Sequence, residues 1–163
     1  MIEKNISFDE WEIKILLILQ EDASLSIAEL AQRVGLSQTP CWRRVKRLKE
    51  IGVIRRTAAI LDRHALGLEF VSYTYVKLAL PSRDNMEAFE TAILRWPEVT
   101  FCEKVTGAVD YLIKVVCVNI QDYDLFLRDK LLALSLVADT QSRIVVSTIK
   151  DETSLPIRGD GTP

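Results

Sequence analysis

Apolar residues in the first third of the chain recur at helical spacing. Trp11, Ile15, Leu16, Ile18 and Leu19 fall on one side of a helix that Asp9 caps, and the pattern predicts that helix to about Glu21. Ser26 and Glu29 form a capping box ahead of Ile27, Leu30, Ala31 and Val34, which predicts a second helix. Gly35 stands where such a helix stops in a left-handed conformation. Ser37 reads as the cap of a third helix, with Pro40 tolerated in its first turn and Gly52 ending it after about Ile51.

The period changes at Glu69. Glu69–Leu80 is rich in Val, Tyr, Thr and Phe and reads as a strand that Pro81 stops. Met86, Phe89 and Ile93 predict a helix over Asn85–Trp96, ended by Pro97. Val99–Thr106 and Tyr111–Val118 read as strands joined by a turn at Gly107–Asp110. Tyr123, Phe126, Leu127, Leu131 and Leu134 predict a helix over Ile120–Leu134, and Arg143–Ile149 reads as the last strand. The order β-α-β-β-α-β is the split pattern of ferredoxin-like domains, so the fold class is α+β. The expected organisation is a helical domain over 1–53 and a linker over 54–67, in which Arg56–Leu61 forms a short strand. An α+β domain follows over 68–152, then a tail over 153–163. Asp151–Pro163, with two prolines and two glycines beyond Leu155, reads as partly disordered.

Composition narrows the class. The chain has 163 residues, 48% hydrophobic and 27% charged, with 6 Gly and 5 Pro, which excludes disordered and low-complexity chains. Its longest apolar runs, Ile15–Leu19 and Leu131–Leu134, are too short for a membrane helix, and Met1–Asn5 lacks a basic-then-apolar signal pattern. A cytoplasmic protein is expected. Three cysteines (Cys41, Cys102, Cys117) and one histidine (His64) make no zinc spacing, and the cysteines read as small buried hydrophobes. The mean hydropathy of +0.12 is high for a chain without a membrane span. A split βαβ sheet has helices on one face only, and Phe70, Thr74, Val76 and Leu78, with residues of the Tyr111–Val118 strand, read as apolar surface for both faces. A partner sheet, and hence a dimer, is expected.

The net charge of −2 hides an asymmetry: Arg33–Arg56 holds eight basic residues and one acid, Glu50. Such a block within an acidic chain points to phosphate binding, because that depends on local basic density. The second and third helices with the Gly35-Leu36-Ser37 turn read as a helix-turn-helix. At 100° per residue Cys41, Val45 and Leu48 share the dry face of the third helix. Thr39, Arg43, Lys46 and Arg47 lie roughly opposite, with Trp42 and Arg44 on the flanks. A helix of that kind fits a major groove. The expected DNA-binding residues are Ser37, Gln38, Thr39, Trp42, Arg43, Arg44, Lys46 and Arg47. Gln38, Thr39 and Arg43, in the first turns, are expected at base edges, and Arg44, Lys46 and Arg47 at phosphates. Trp42 reads either as an aromatic that locks the helix or as a base contact.

Several stretches resemble the Lrp/AsnC (leucine-responsive/asparagine-regulator, or feast/famine) transcription factors. They are Asp9–Gln20 (DEWEIKILLILQ), Leu30–Arg47 (LAQRVGLSQTPCWRRVKR), Leu48–Ile54 (LKEIGVI), Ile60–Gly67 (ILDRHALG), Val105–Tyr111 (VTGAVDY), the final strand and Ser154-Leu155-Pro156. The resemblance implies an N-terminal winged helix-turn-helix and a C-terminal ligand-sensing βαββαβ domain of the RAM or ACT-like kind. It implies dimers, commonly assembled into octamers or other even rings on a prokaryotic chromosome. It also implies a small amino acid bound between dimers as effector, and no other cofactor. Carried onto this chain, the effector site is Thr106, Gly107, Ala108, Val109, Asp110 and Tyr111, which keep the family's glycine-two residues-aspartate turn. Gly107 permits positive φ and opens backbone N–H groups to a carboxylate. Asp110 either meets the ligand's ammonium group or caps local N–H groups. Before the last strand the family often has a Pro-Gly-Val-like step, where this chain has Leu134-Ser135-Leu136-Val137.

An enzyme would need a nucleophile motif, a Gly-rich phosphate loop or metal spacing, and the chain offers none of these. A ligand-independent architectural DNA-binding protein would keep the basic helix and the oligomer interface without an amino-acid response. The amino-acid-responsive regulator is the primary expectation.

Overall fold

The computed structural model describes residues 7–157. The chain divides into two units, one holding the residues up to Ile60 together with those from Lys150 onward, the other Leu61–Ile149.

The first unit is built on α1 (Glu10–Glu21), α2 (Ile27–Val34) and α3 (Gln38–Glu50). Two reciprocal capping boxes set the first two starts. The Asp9 carboxylate accepts the Glu12 N–H at 2.7 Å while Glu12 accepts the Asp9 N–H at 3.2 Å, and Ser26 and Glu29 repeat the arrangement. Gly35 ends α2 at φ +72°, a conformation that calls for glycine. Ser37 holds the N-cap position of α3, but its hydroxyl makes no capping bond. Ile15, Leu30, Cys41 and Leu48 are buried together and lock the three helices to one another.

The second unit is a four-stranded antiparallel sheet with helices on one face. Its elements are β1 (Phe70–Leu78), α4 (Arg83–Ile93), β2 (Val99–Lys104), β3 (Tyr111–Cys117), α5 (Ile120–Phe126) and β4 (Val137–Ile144). The spatial order β2-β3-β1-β4 is that of a ferredoxin-like sheet. Phe89 and Ile93 of α4, with Tyr123 and Phe126 of α5, pack onto Val76, Leu78, Ile113 and Val115. Among the described residues no helix is long and apolar enough to cross a membrane.

Four expectations need correction. The last strand is Val137–Ile144, not Arg143–Ile149. β4 is an edge strand, where polar residues are tolerated, so the apolar run that follows it misleads. Its place is set by pairing with β1 and by a hydroxyl cluster beneath. The Tyr123 hydroxyl lies 2.7 Å from Thr74 Oγ1 and 2.5 Å from Ser142 Oγ. The helix expected to reach Leu134 loosens at Leu127–Leu131 into a π-helical turn. No strand forms over Arg56–Leu61, because no strand of the described chain lies beside it to pair with. The described part of the tail is held: the Leu155 N–H donates to Gln20 Oε1 at 2.5 Å, and Ile157 packs on the helical core. The rest of the expected tail, 158–163, lies outside the described residues. Last, Cys102 is exposed, unlike Cys41 and Cys117. Burial, then the Glu98 and Asp122 carboxylates, push the Cys117 thiol up to about 11.

The sheet faces also differ from expectation. Phe70, Thr74, Val76 and Leu78 do not serve both faces; the strand's pleat puts all four, with Ser72, on the helix-covered side. The other face carries Tyr73, Tyr75 and Lys77 of β1 beside Lys114 and Leu112 of β3.

Tyr123→Phe removes the hydroxyl that joins β1, α5 and β4 and leaves Thr74 and Ser142 short of a partner. The expected cost is about 1–3 kcal/mol, read as a lower urea midpoint with unchanged slope.

Candidate nucleic-acid interface

Cys41, Val45 and Leu48 turn one face of α3 into the core, so the other face is presented outward by the same packing that folds the unit. Ser37, Gln38, Thr39, Arg43, Lys46 and Arg47 are all exposed. Trp42 is 51% exposed, and its ring stacks under Lys46 Nζ at 5.2 Å from the centroid. Gln38, Thr39 and Trp42 line one shallow concavity together with Ile27 of α2. The first turns of α3 therefore present two hydrogen-bonding side chains and an aromatic side by side.

Two of the expected phosphate contacts have partners inside the unit. Arg44 is half-buried, with Nε and Nη2 each 3.0 Å from Asp9 Oδ2. Arg47 Nη1 lies 2.5 Å from Oε1 of Glu12, which is only 4% exposed. Both acids sit in the first turn or cap of α1, so these arginines brace α3 against α1. Partial burial is the largest single influence on Asp9 and raises its pKa. The hydrogen bonds from Arg44 and the Glu12 N–H, with the Arg44 charge, outweigh it and hold the carboxyl below its ordinary value. Arg43 is exposed and in no ion pair among the described residues, and Lys46 has only the exposed Glu50 at 3.7 Å. Asp9 was legible as the cap of α1; its reciprocal bond with Glu12, and the arginines 35 residues on that both carboxylates meet, were not.

The turn between β2 and β3 brings the expected effector residues together, except one. Thr106, Gly107 and Ala108 are exposed, and Val109 and Asp110 are half-buried. Gly107 takes φ +119°, which only glycine adopts readily. Asp110 fastens the turn to β1: its N–H donates to Val76 O at 2.9 Å, and its Oδ2 accepts the Leu78 N–H at 2.8 Å. Tyr111 points the other way. It is 1% exposed, its ring lies 4.5 Å from that of Phe89, and its hydroxyl donates to Glu90 Oε1 at 2.7 Å. Burial, then Glu90, raises its phenol well above the ordinary value. Backbone alternation at the start of β3 accounts for the difference, since successive side chains face opposite sides.

The family model for a winged helix-turn-helix DNA-binding domain matches residues 8–55, and that for the Lrp/AsnC ligand binding domain matches residues 72–155. The chain is 36% identical to the proline dehydrogenase transcriptional activator of Rhizobium radiobacter, over 91% of this chain and 95% of that one. It is 35% identical to the leucine-responsive regulatory protein of Rhizobium meliloti, over 93% and 97%. Among solved structures, a transcriptional regulator of Neisseria meningitidis in complex with L-Met superposes with a TM-score of 0.88 at 37% identity, covering 92% of this chain and 97% of that one. An AsnC family regulator of Agrobacterium tumefaciens gives 0.86 at 38%, covering 91% and 97%. These relatives are regulators rather than enzymes. With a helix-turn-helix unit, a ferredoxin-like unit and full-length relatives at this identity, the chain belongs to the Lrp/AsnC family of DNA-binding transcriptional regulators.

Proposed function

We propose that this chain regulates transcription by placing α3 in the major groove of a specific operator, and that a small amino acid bound at the Gly107–Asp110 turn modulates that binding. The observation that carries the DNA reading is the outward face of α3. Gln38, Thr39, Trp42 and Arg43 are free to reach base edges, and Lys46 to reach phosphate. Arg44 and Arg47 act mainly as braces that fix the pitch of α3, through Asp9 and Glu12.

We further propose a homodimer formed through the open sheet face. Tyr73, Tyr75, Leu112 and Val116 supply its apolar part, and two-fold symmetry then sets two recognition helices about 34–36 Å apart on a roughly palindromic site. Sedimentation of the full chain is expected to give twice the 18.5 kDa chain mass or an even multiple; a stable species at 18.5 kDa contradicts the dimer.

For the effector, the exposed backbone of Thr106–Ala108 suits a carboxylate, and Asp110 supplies the charge for an ammonium. One observation favours the ligand-independent reading instead, namely that Asp110 Oδ2 is already engaged by the Leu78 N–H. Asp110→Asn separates the two, because an amide oxygen keeps that bond while the charge is lost. A thermal-shift screen of the twenty amino acids identifies the effector by its rise in Tm. With that amino acid, Asp110→Asn is expected to keep the unliganded Tm and lose affinity by about tenfold or more. Unchanged affinity removes Asp110 from the site, and a screen in which no amino acid raises Tm supports the architectural reading.

A further inference from the structure

The first unit contains a cavity that the proposed effector turn, in the second unit, does not touch. It holds about 370 Å³, within the range of small-molecule sites. Its floor is the helical core itself: Leu16, Leu30 and Val45, all buried. The C-terminal strap, residues 153–157, lines it as well through Thr153, Leu155 and Ile157. There the Gln20 side chain pairs with the Leu155 backbone as a neighbouring strand would, accepting from its N–H at 2.5 Å and donating to its carbonyl at 3.3 Å. That pairing fixes the strap but leaves the Leu155 side chain 71% exposed while it lines the cavity. Apolar surface therefore lies open to water beside an apolar floor.

The rim has one sign of charge. Lys49, at the end of α3, and Arg55 and Arg56 line the cavity and are exposed. Among the described residues none of the three is in an ion pair, and no aspartate or glutamate lines the cavity. An apolar body with an anionic end is complementary to such a site. An ammonium group would meet three cations and no carboxylate, which is costly by charge repulsion. We infer that the DNA-binding unit carries a second ligand site, which takes an aliphatic carboxylate lacking an ammonium group, with the chain on the Leu16–Leu30–Val45 floor and the carboxylate at Lys49, Arg55 and Arg56. Such a ligand touches α1, the end of α3 and the strap at once, so its binding stiffens the support of the recognition helix.

The site does not depend on the effector reading. Leucine and 4-methylpentanoate share a carbon skeleton and a carboxylate and differ by the ammonium group alone, which makes them a matched pair of titrants. Calorimetry on the full chain at constant ionic strength is expected to show 4-methylpentanoate binding the wild type at least about tenfold more tightly than the Arg56→Gln variant. Leu155→Ser, on the strap, is expected to weaken it by a similar factor. Asp110→Asn is expected to leave 4-methylpentanoate binding unchanged, and any leucine binding that Asp110→Asn abolishes belongs to the effector turn. Arg56 and Leu155 are exposed, so both variants are expected to keep the wild-type Tm, which is checked first. The inference is overturned if 4-methylpentanoate gives no binding heat at millimolar concentration, or if Arg56→Gln and Leu155→Ser, folded as the wild type, bind it equally well. It is also overturned if Asp110→Asn abolishes its binding.

Discussion

Arg43→Ala is expected to weaken binding to the specific operator by about 5- to 150-fold, the worth of one good bidentate pairing with a base. The expectation rests on position. Arg43 lies in the second turn of α3 on the face away from Cys41, Val45 and Leu48, is exposed, and joins no ion pair among the described residues. Its removal therefore takes nothing from the core, and Tm is expected to stay within about 1 kcal/mol of the wild type when read as stability. Lys46→Ala gives the contrast. Taking a cation from a phosphate there weakens specific and non-specific DNA alike and lowers the salt slope of log K by about 0.9. If Arg43→Ala behaves as Lys46→Ala does, with equal weakening on all sequences, Arg43 touches phosphate and the base-reading role passes to Gln38 and Thr39.

Arg47→Ala is expected to act on stability first. Glu12 is almost wholly buried, with one oxygen on the Asp9 N–H and the other on Arg47. Removing the arginine leaves a carboxylate inside the unit without its counter-charge. Breaking a fully buried pair costs about 3–5 kcal/mol; the Arg47 side chain is 46% exposed, so water shares the solvation and about 2 kcal/mol is expected here. Adding Glu12→Gln in the Arg47→Ala background is expected to restore most of that stability. The amide oxygen still accepts the Asp9 N–H, and the buried charge is gone. Urea unfolding of the two single variants and the double closes the cycle. Full stability in Arg47→Ala alongside weakened DNA binding would instead make Arg47 a DNA-binding residue and not a brace.

The two arginines mark where sequence reasoning reached and where it stopped. The helix-turn-helix was legible almost to the residue, because its punctuation is local. Asp9 with Glu12, Ser26 with Glu29, and Gly35 each act within one turn of the helix end they set. The order of the second unit was legible for the same reason, from a change of period at Glu69 and stops at Pro81 and Pro97. What failed was decided by distant partners. β4 takes the polar residues Asp139–Arg143 in place of the apolar run after Ile144, because Thr74 and Tyr123 wait for Ser142. Tyr111 leaves the effector turn for the core because Phe89 and Glu90 of α4 receive it. Arg44 and Arg47, expected at phosphates, are paired with acids at the start of α1. The basic block falls largely on α3, and tertiary packing sorts its members there into those that hold α3 against α1 and those left exposed.

We propose that α3 reads sequence through Arg43. The direct test is a fluorescence-anisotropy titration of the full chain on a duplex enriched from random DNA, against a scrambled duplex of equal length in the same salt. The wild type is expected to prefer the enriched duplex by about a thousandfold or more, and Arg43→Ala is expected to lose most of that preference while keeping its affinity for the scrambled one. Equal affinity of the wild type for both duplexes, or an undiminished preference in Arg43→Ala, would contradict it.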